Sequence, residues 1–105
     1  MLELTKENFE SEVLSAKGKV FVDFYGDGCA PCEALKPFVH ACAEKYDGKL
    51  KFTMLNTTQA RRLAISQKVL GLPVLAIYEN GEKIEELVKD DATEQNIEAM
   101  IVRNI

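Results

Sequence analysis

Residues 19 to 25, KVFVDFY, are apolar at every position except the first and the fifth. A strand with one wet face alternates polar and apolar side chains, whereas a strand covered on both faces reads as a nearly unbroken apolar run. The β-branched and aromatic content suits a strand over this whole length. The segment is therefore expected to lie at the centre of a sheet. A chain that makes such a strand must also supply covering layers on both sides of it.

The rest of the sequence offers those layers in order. Thr5 can cap a first helix, with Glu7 and Glu10 at its positive end, Phe9 and Val13 four apart on one face, and Gly18 as its stop. From Pro31 to about Tyr46, Leu35, Val39, Cys42 and Tyr46 recur at spacings of four, three and four. That is one face of a second helix, and Gly48 ends it. LKFTMLN, residues 50 to 56, reads as a second strand, and strand, helix, strand at this separation implies a right-handed parallel crossover. Residues 58 to 69 read as helical. VLAIYE and KIEELV flank Asn80-Gly81, the dipeptide that best tolerates the positive φ angles of a two-residue hairpin turn, so these strands should be antiparallel. Thr93 can cap a last helix carrying Ile97, Met100 and Ile101 as its apolar stripe. At 105 residues and 47% hydrophobic, with no repeat, linker or low-complexity segment, residues 1–105 are expected to form one α/β domain around one core.

Between the central strand and the second helix stands GDGCAPC, residues 26 to 32. Cys29 falls just before the first helical turn and Cys32 within it, so the two sulfurs share a side, with Cα atoms ~5 Å apart, inside the window of a disulfide. The helix's unpaired N–H groups and dipole favour a thiolate at its start, which makes Cys29, the more exposed of the two, the attacking sulfur. Pro31 suits the first helical position and stiffens the loop. Gly26 and Gly28 let the chain turn sharply out of the strand, leaving Cys29 at a carboxyl end where open α/β sheets place their chemistry. The expected chemistry is thiol–disulfide exchange: Cys29 attacks a partner's disulfide, and Cys32 resolves the mixed disulfide. A zinc site would have to recruit His40 and Cys42, eight and ten residues past Cys32 on the same helix. They lie at least ~12 Å along its axis, too far for one ion. Cys42 falls on the apolar stripe and reads as a packed core thiol, while His40 is off it and reads as solvated.

Composition removes several other functions. Thirteen Lys plus Arg against 17 Asp plus Glu leave a formal charge of −4, which argues against a nucleic-acid partner. MLELTKENFE lacks the basic start and apolar stretch of a signal peptide, and no apolar run approaches the ~18 residues of a membrane span. A soluble, cytoplasmic protein is the expectation. Structural disulfides are rare there, so the C-x-x-C pair reads as redox-active or metal-binding rather than as a staple.

Two further residues stand out. Asp23 is the one ionisable residue inside KVFVDFY: as a buried carboxyl it would have a raised pKa and could exchange protons with Cys32, whereas at a strand end it would simply face solvent. Pro73 opens the strand of VLGLPVLAIY, where a missing N–H does little harm, and an X–Pro bond is trans by default.

VDFYGDGCAPC, Pro37, LGLPVLAIYENG and the order of elements together resemble the thioredoxin family over essentially the whole chain. The resemblance implies a thioredoxin fold, a mixed sheet of four to five strands flanked by about four helices. It implies Cys29 as nucleophile, Cys32 as resolving thiol and Asp23 as the buried proton-transfer carboxylate. It also implies a cis bond at Pro73 and a client-contact surface made by Gly28, Ala30, Pro31, Leu72 and Pro73. The implied activity is reduction of protein disulfides by a monomer that binds no cofactor and is recharged from NADPH by a flavin-dependent thioredoxin reductase. A module that only binds partner chains, or one that oxidises them, is the alternative. The family usually reads W-C-G-P-C-K; Gly28, Ala30 and Glu33 replace its Trp, Gly and Lys, Met54 stands where many members carry a Lys near the buried Asp, and Lys89-Asp90-Asp91 replaces a small Gly-containing stretch. The G-C-x-P-C form is similar to thioredoxins of amino-acid-fermenting anaerobic bacteria that serve glycine, sarcosine or betaine reductases, which implies amino-acid reductase components among the partners.

Overall fold

The computed structural model describes residues 1–105 and places KVFVDFY in the middle of five strands. In chain order these are β1 (Leu2–Leu4), β2 (Lys19–Tyr25), β3 (Lys51–Asn56), β4 (Val74–Glu79) and β5 (Glu82–Val88), and their order across the sheet is β1-β3-β2-β4-β5. β2 runs parallel to β3, which runs parallel to β1, while β4 is antiparallel to both β2 and β5. The three α-helices are α1 (Ala30–Lys45), α2 (Arg61–Ser66) and α3 (Glu94–Arg103).

The unbroken apolarity of β2 is used on both faces. Val20, Val22 and Phe24 point to one side and pack with Phe9, Val13, Ala60 and Ala64. Phe21 points to the other, with Val39 and Cys42 of α1 and Ile97, Met100 and Ile101 of α3. Burying each large side chain of this kind contributes roughly 1.5–3 kcal/mol, so the two layers fix which face of β2 looks toward α1. Phe21, Asp23 and Tyr25 share that face, because side chains alternate along a strand.

The α3 cap is as expected: Thr93 Oγ1 accepts from the Asn96 N–H at 3.1 Å. The hairpin turn also matches, with φ of 51° at Asn80 and 86° at Gly81. Three elements differ from expectation. β1 carries too few residues to show a pattern and was not foreseen; it pairs with the outer edge of β3. The first helix is a five-residue π-helical segment, Glu10–Leu14, preceded by a turn in which Thr5 Oγ1 accepts from the Glu7 N–H. The helix expected over 58–69 is broken into a 3₁₀ turn, Thr57–Gln59, and the short α2. The break falls at Ala60, which has φ −149° and ψ 50° and is buried against the core.

Candidate redox site

β2 ends at Tyr25 and α1 begins at Ala30, so the sequence between them has four residues in which to leave the sheet and enter a helix. Gly28 makes the turn at φ 71°, a conformation that a residue with a Cβ enters only at a cost. Gly26 serves differently from the sharp turn expected of it: it is buried, and a Cβ there would lie 2.8 Å from Leu72 Cδ1. The next strand pins this loop. Thr57 Oγ1 donates to the Tyr25 carbonyl at 2.9 Å, the Asp27 N–H donates to Thr58 Oγ1 at 2.9 Å, and Asn56 Nδ2 donates to Asp27 Oδ1 at 3.0 Å. Sequence reasoning missed these three residues. The polar run Asn-Thr-Thr directly after an apolar strand was the signal available.

Cys29 is the N-cap of α1, and its sulfur accepts from the Cys32 N–H at 3.3 Å. The cysteines form a disulfide with Cα atoms 5.3 Å apart, as the helical spacing predicts. Cys29 is half-buried, Ala30 and Pro31 are exposed, and Cys32 is only 7% exposed. The accessible sulfur is therefore the one at the helix terminus, where orphan N–H groups and the macrodipole concentrate positive charge. His40 is exposed on α1, and Cys42 is buried among the α1–α3 contacts with its thiol pKa pushed up by burial; neither approaches the pair.

Asp23 is buried, and burial pushes its pKa up to about 7, opposed by attraction to Lys36 and reinforced by repulsion from Glu3. Its neighbours in register are Met54 on β3 and Leu75 on β4, both apolar and both buried. A carboxyl with this value changes protonation in the range where thiols exchange protons. The reading that leaves Asp23 facing solvent is thereby removed.

The Leu72–Pro73 bond is cis, Pro73 is buried and Leu72 half-buried against Gly26. The Lys89 N–H donates to the Pro73 carbonyl at 2.8 Å, which ties this loop to the 3₁₀ turn Lys89–Asp91. All three residues of that turn are exposed. Beside the loop lies an open groove of about 370 Å³ whose lining includes Thr57, Arg61, Ile65, Leu70 and Leu72.

A disulfide at a helix N-terminus, a buried carboxyl on the adjacent strand and a cis-proline loop packed against the turn between them define a thiol–disulfide exchange protein. Two sulfurs carry the electron pair themselves, so the exchange calls for no bound cofactor. The chain belongs to the thioredoxin family: the family model Thioredoxin matches residues 1–103. It is 53% identical over 105 residues to a thioredoxin of Peptoclostridium acidaminophilum, covering all of this chain and 96% of that one. It is equally 53% identical to a thioredoxin of Acetoanaerobium sticklandii, with both chains covered in full. Identity to Thioredoxin C-2 of Corynebacterium nephridii is 33% over 101 residues, 96% of this chain and 93% of that one. The protein is thus a thiol–disulfide oxidoreductase acting on protein disulfides. No helix is long and apolar enough to cross a membrane.

Proposed function

We propose that the chain reduces client proteins by a two-step exchange with Cys29 as nucleophile, Cys32 as resolving thiol and Asp23 as proton acceptor. The observation that carries this assignment is the asymmetry of the pair: Cys29 is the accessible sulfur at the α1 terminus, and Cys32 is buried behind it. In the reduced protein the Cys29 thiolate attacks a client disulfide. A Cys29–client bond forms and one client thiolate leaves, taking a proton from solvent. Cys32 gives its proton to the Asp23 carboxylate, attacks Cys29 Sγ and closes the intramolecular disulfide, and the second client thiolate departs. The client gains two electrons and the Cys29–Cys32 pair loses two.

Gly28, Ala30, Pro31, Leu72 and Pro73 form the surface that the client chain meets. Gly28 and Ala30 present little side chain, so contact rests on backbone groups and on Leu72. Recharging falls to a flavin-dependent thioredoxin reductase drawing on NADPH. Amino-acid reductase components are the clients favoured by the G-C-A-P-C sequence. The exposed Glu33, Asp27, Asp90 and Asp91 suit partners with a basic patch beside the disulfide. Residues 1–105 act as a single domain and a monomer in the cytoplasm, where reductant is at hand.

The test is a Cys32→Ser variant expressed in the native host, which should accumulate mixed disulfides on Cys29 that identify the clients. The matching Cys29→Ser variant should trap nothing and lose dithiothreitol-coupled reduction of insulin. Full insulin reduction by Cys29→Ser overturns the assignment.

A further inference from the structure

A row of residues crosses the sheet through Asp23. Glu3 of β1 pairs with Met54 of β3, Met54 with Asp23 of β2, and Asp23 with Leu75 of β4. Partners in register put their side chains on one face, so the carboxyl's neighbours within the sheet are a thioether and an isobutyl group. Neither offsets charge. Glu3 is two strands away, ~10 Å at the usual strand spacing, and its charge has the same sign. The sheet therefore offers Asp23 desolvation and a distant repulsion, and a counter-charge has to come from the helix above this face.

α1 carries one. Lys36 stands one helical turn beyond Cys32 on the same side of the helix. Its ammonium lies 5.4 Å from the centroid of the Tyr25 ring, and Tyr25 is on the Asp23 face of β2, two residues along. The ring is itself held, because the Tyr25 hydroxyl donates toward both carboxylate oxygens of Glu3, at 2.8 and 3.0 Å. On its outer side the ammonium is 4.0 Å from Glu33 Oε1. A ring below and a carboxylate beside it keep a long, flexible side chain stationed over the strand.

We propose that Lys36 is a positioning residue for the exchange reaction: seated on Tyr25, it sets how readily Asp23 takes up the Cys32 proton. This rests on the reading of Asp23 as that proton's acceptor. The charges that act on Asp23 are Lys36 from α1 and Glu3 from β1, Tyr25 shares its face of β2, and β3 and β4 contribute only Met54 and Leu75. Among the charges, attraction to Lys36 outweighs repulsion from Glu3 and is what opposes burial. Removing Lys36 leaves burial and Glu3 unopposed. Asp23 then keeps its proton to higher pH, and fewer molecules at neutral pH hold a carboxylate ready for Cys32.

The test compares Lys36→Met, Lys36→Arg and Asp23→Asn with the unaltered chain. Two quantities are read: the ¹³C NMR titration of the Asp23 carboxyl, and the pH profile of single-turnover reduction of a protein disulfide. Lys36→Met should move the carboxyl titration up by about half a pH unit to one, the range left to a half-exposed opposite charge after screening. Its reduction rate should fall roughly 3-fold at pH 7 and return to that of the unaltered chain at high pH, the same shift expressed as a fraction ionised. Lys36→Arg should retain both values, which loss of side-chain packing alone would not explain. An Asp23 titration unmoved in Lys36→Met overturns the proposal. A pH profile that persists unchanged in Asp23→Asn overturns instead the reading of Asp23 as acceptor, while the carboxyl titration still reports on Lys36.

Discussion

Asp23 is held near neutrality by its burial, and the same burial is a cost to the fold. Its ordinary value is 3.8 and its folded value about 7. Above pH 4 the unfolded carboxyl is ionised while the folded one keeps its proton, so the unfolded state binds fewer protons and stability falls as pH rises from about 4 to about 7. A difference of this size corresponds to ~4 kcal/mol once the folded carboxyl is also ionised. Asp23→Asn has no charge to bury and should be more stable than the unaltered chain at pH 8, by about 2–4 kcal/mol, and close to it at pH 4; urea denaturation at the two pH values measures both. The cysteines give a second residue-scale prediction. In the reduced protein, limiting iodoacetamide at pH 7 should alkylate Cys29 at least ~10-fold faster than Cys32 or Cys42, because only Cys29 combines access with a helix terminus. Peptide mass mapping reads this directly, and equal labelling of Cys42 would contradict its burial. The sequence singled out Asp23 as an ionisable residue in an apolar strand, but it could not say which way the side chain faced. That depended on α1 and α3 covering its face of β2.

Elements with strong local signals formed where the sequence placed them. β2 matches KVFVDFY residue for residue, α3 follows its Thr93 cap, and the β4–β5 turn uses Asn80-Gly81 as the dipeptide implied. Gly81 has an additional constraint, since a Cβ there would run into the Leu14 carbonyl oxygen. Gly81→Ala should therefore cost at least ~2 kcal/mol, left-handed strain plus a backbone clash, whereas Thr93→Ala should cost ~1 kcal/mol for the lost cap; thermal or urea unfolding separates the two. The elements misread are those whose form is set by distant partners. Residues 57 to 59 give up helical continuity, and the Thr57 and Thr58 hydroxyls reach back to the Tyr25–Asp27 loop. Local propensity is worth a few tenths of a kcal/mol per residue, and contacts of this kind override it. β1 is three residues long and exists because the edge of β3 is open to it.

Taken whole, the molecule has a Cα radius of gyration of 12.3 Å, close to the ~13 Å of one compact domain of this length. Residues 1–105 should accordingly unfold as a unit, with tyrosine fluorescence and far-ultraviolet circular dichroism tracing coincident urea transitions; separated midpoints would contradict the single domain. The net charge of −4 makes encounter with basic clients salt-dependent, so raising salt from 0.05 to 0.5 M should slow reduction of such a client several-fold and leave a neutral small disulfide nearly unaffected. What the sequence determined alone is what depends on neighbours along the chain. The apolar run makes a central strand, and the helical period makes covering layers. The C-x-x-C spacing at a helix start brings two sulfurs within bonding distance. Only the tertiary structure decided what surrounds Asp23. Met54 and Leu75 beside it, Lys36 above it and Glu3 at the end of its row come from four different elements. Strand register and helix packing, rather than proximity in sequence, set the electrostatic environment of a buried charge.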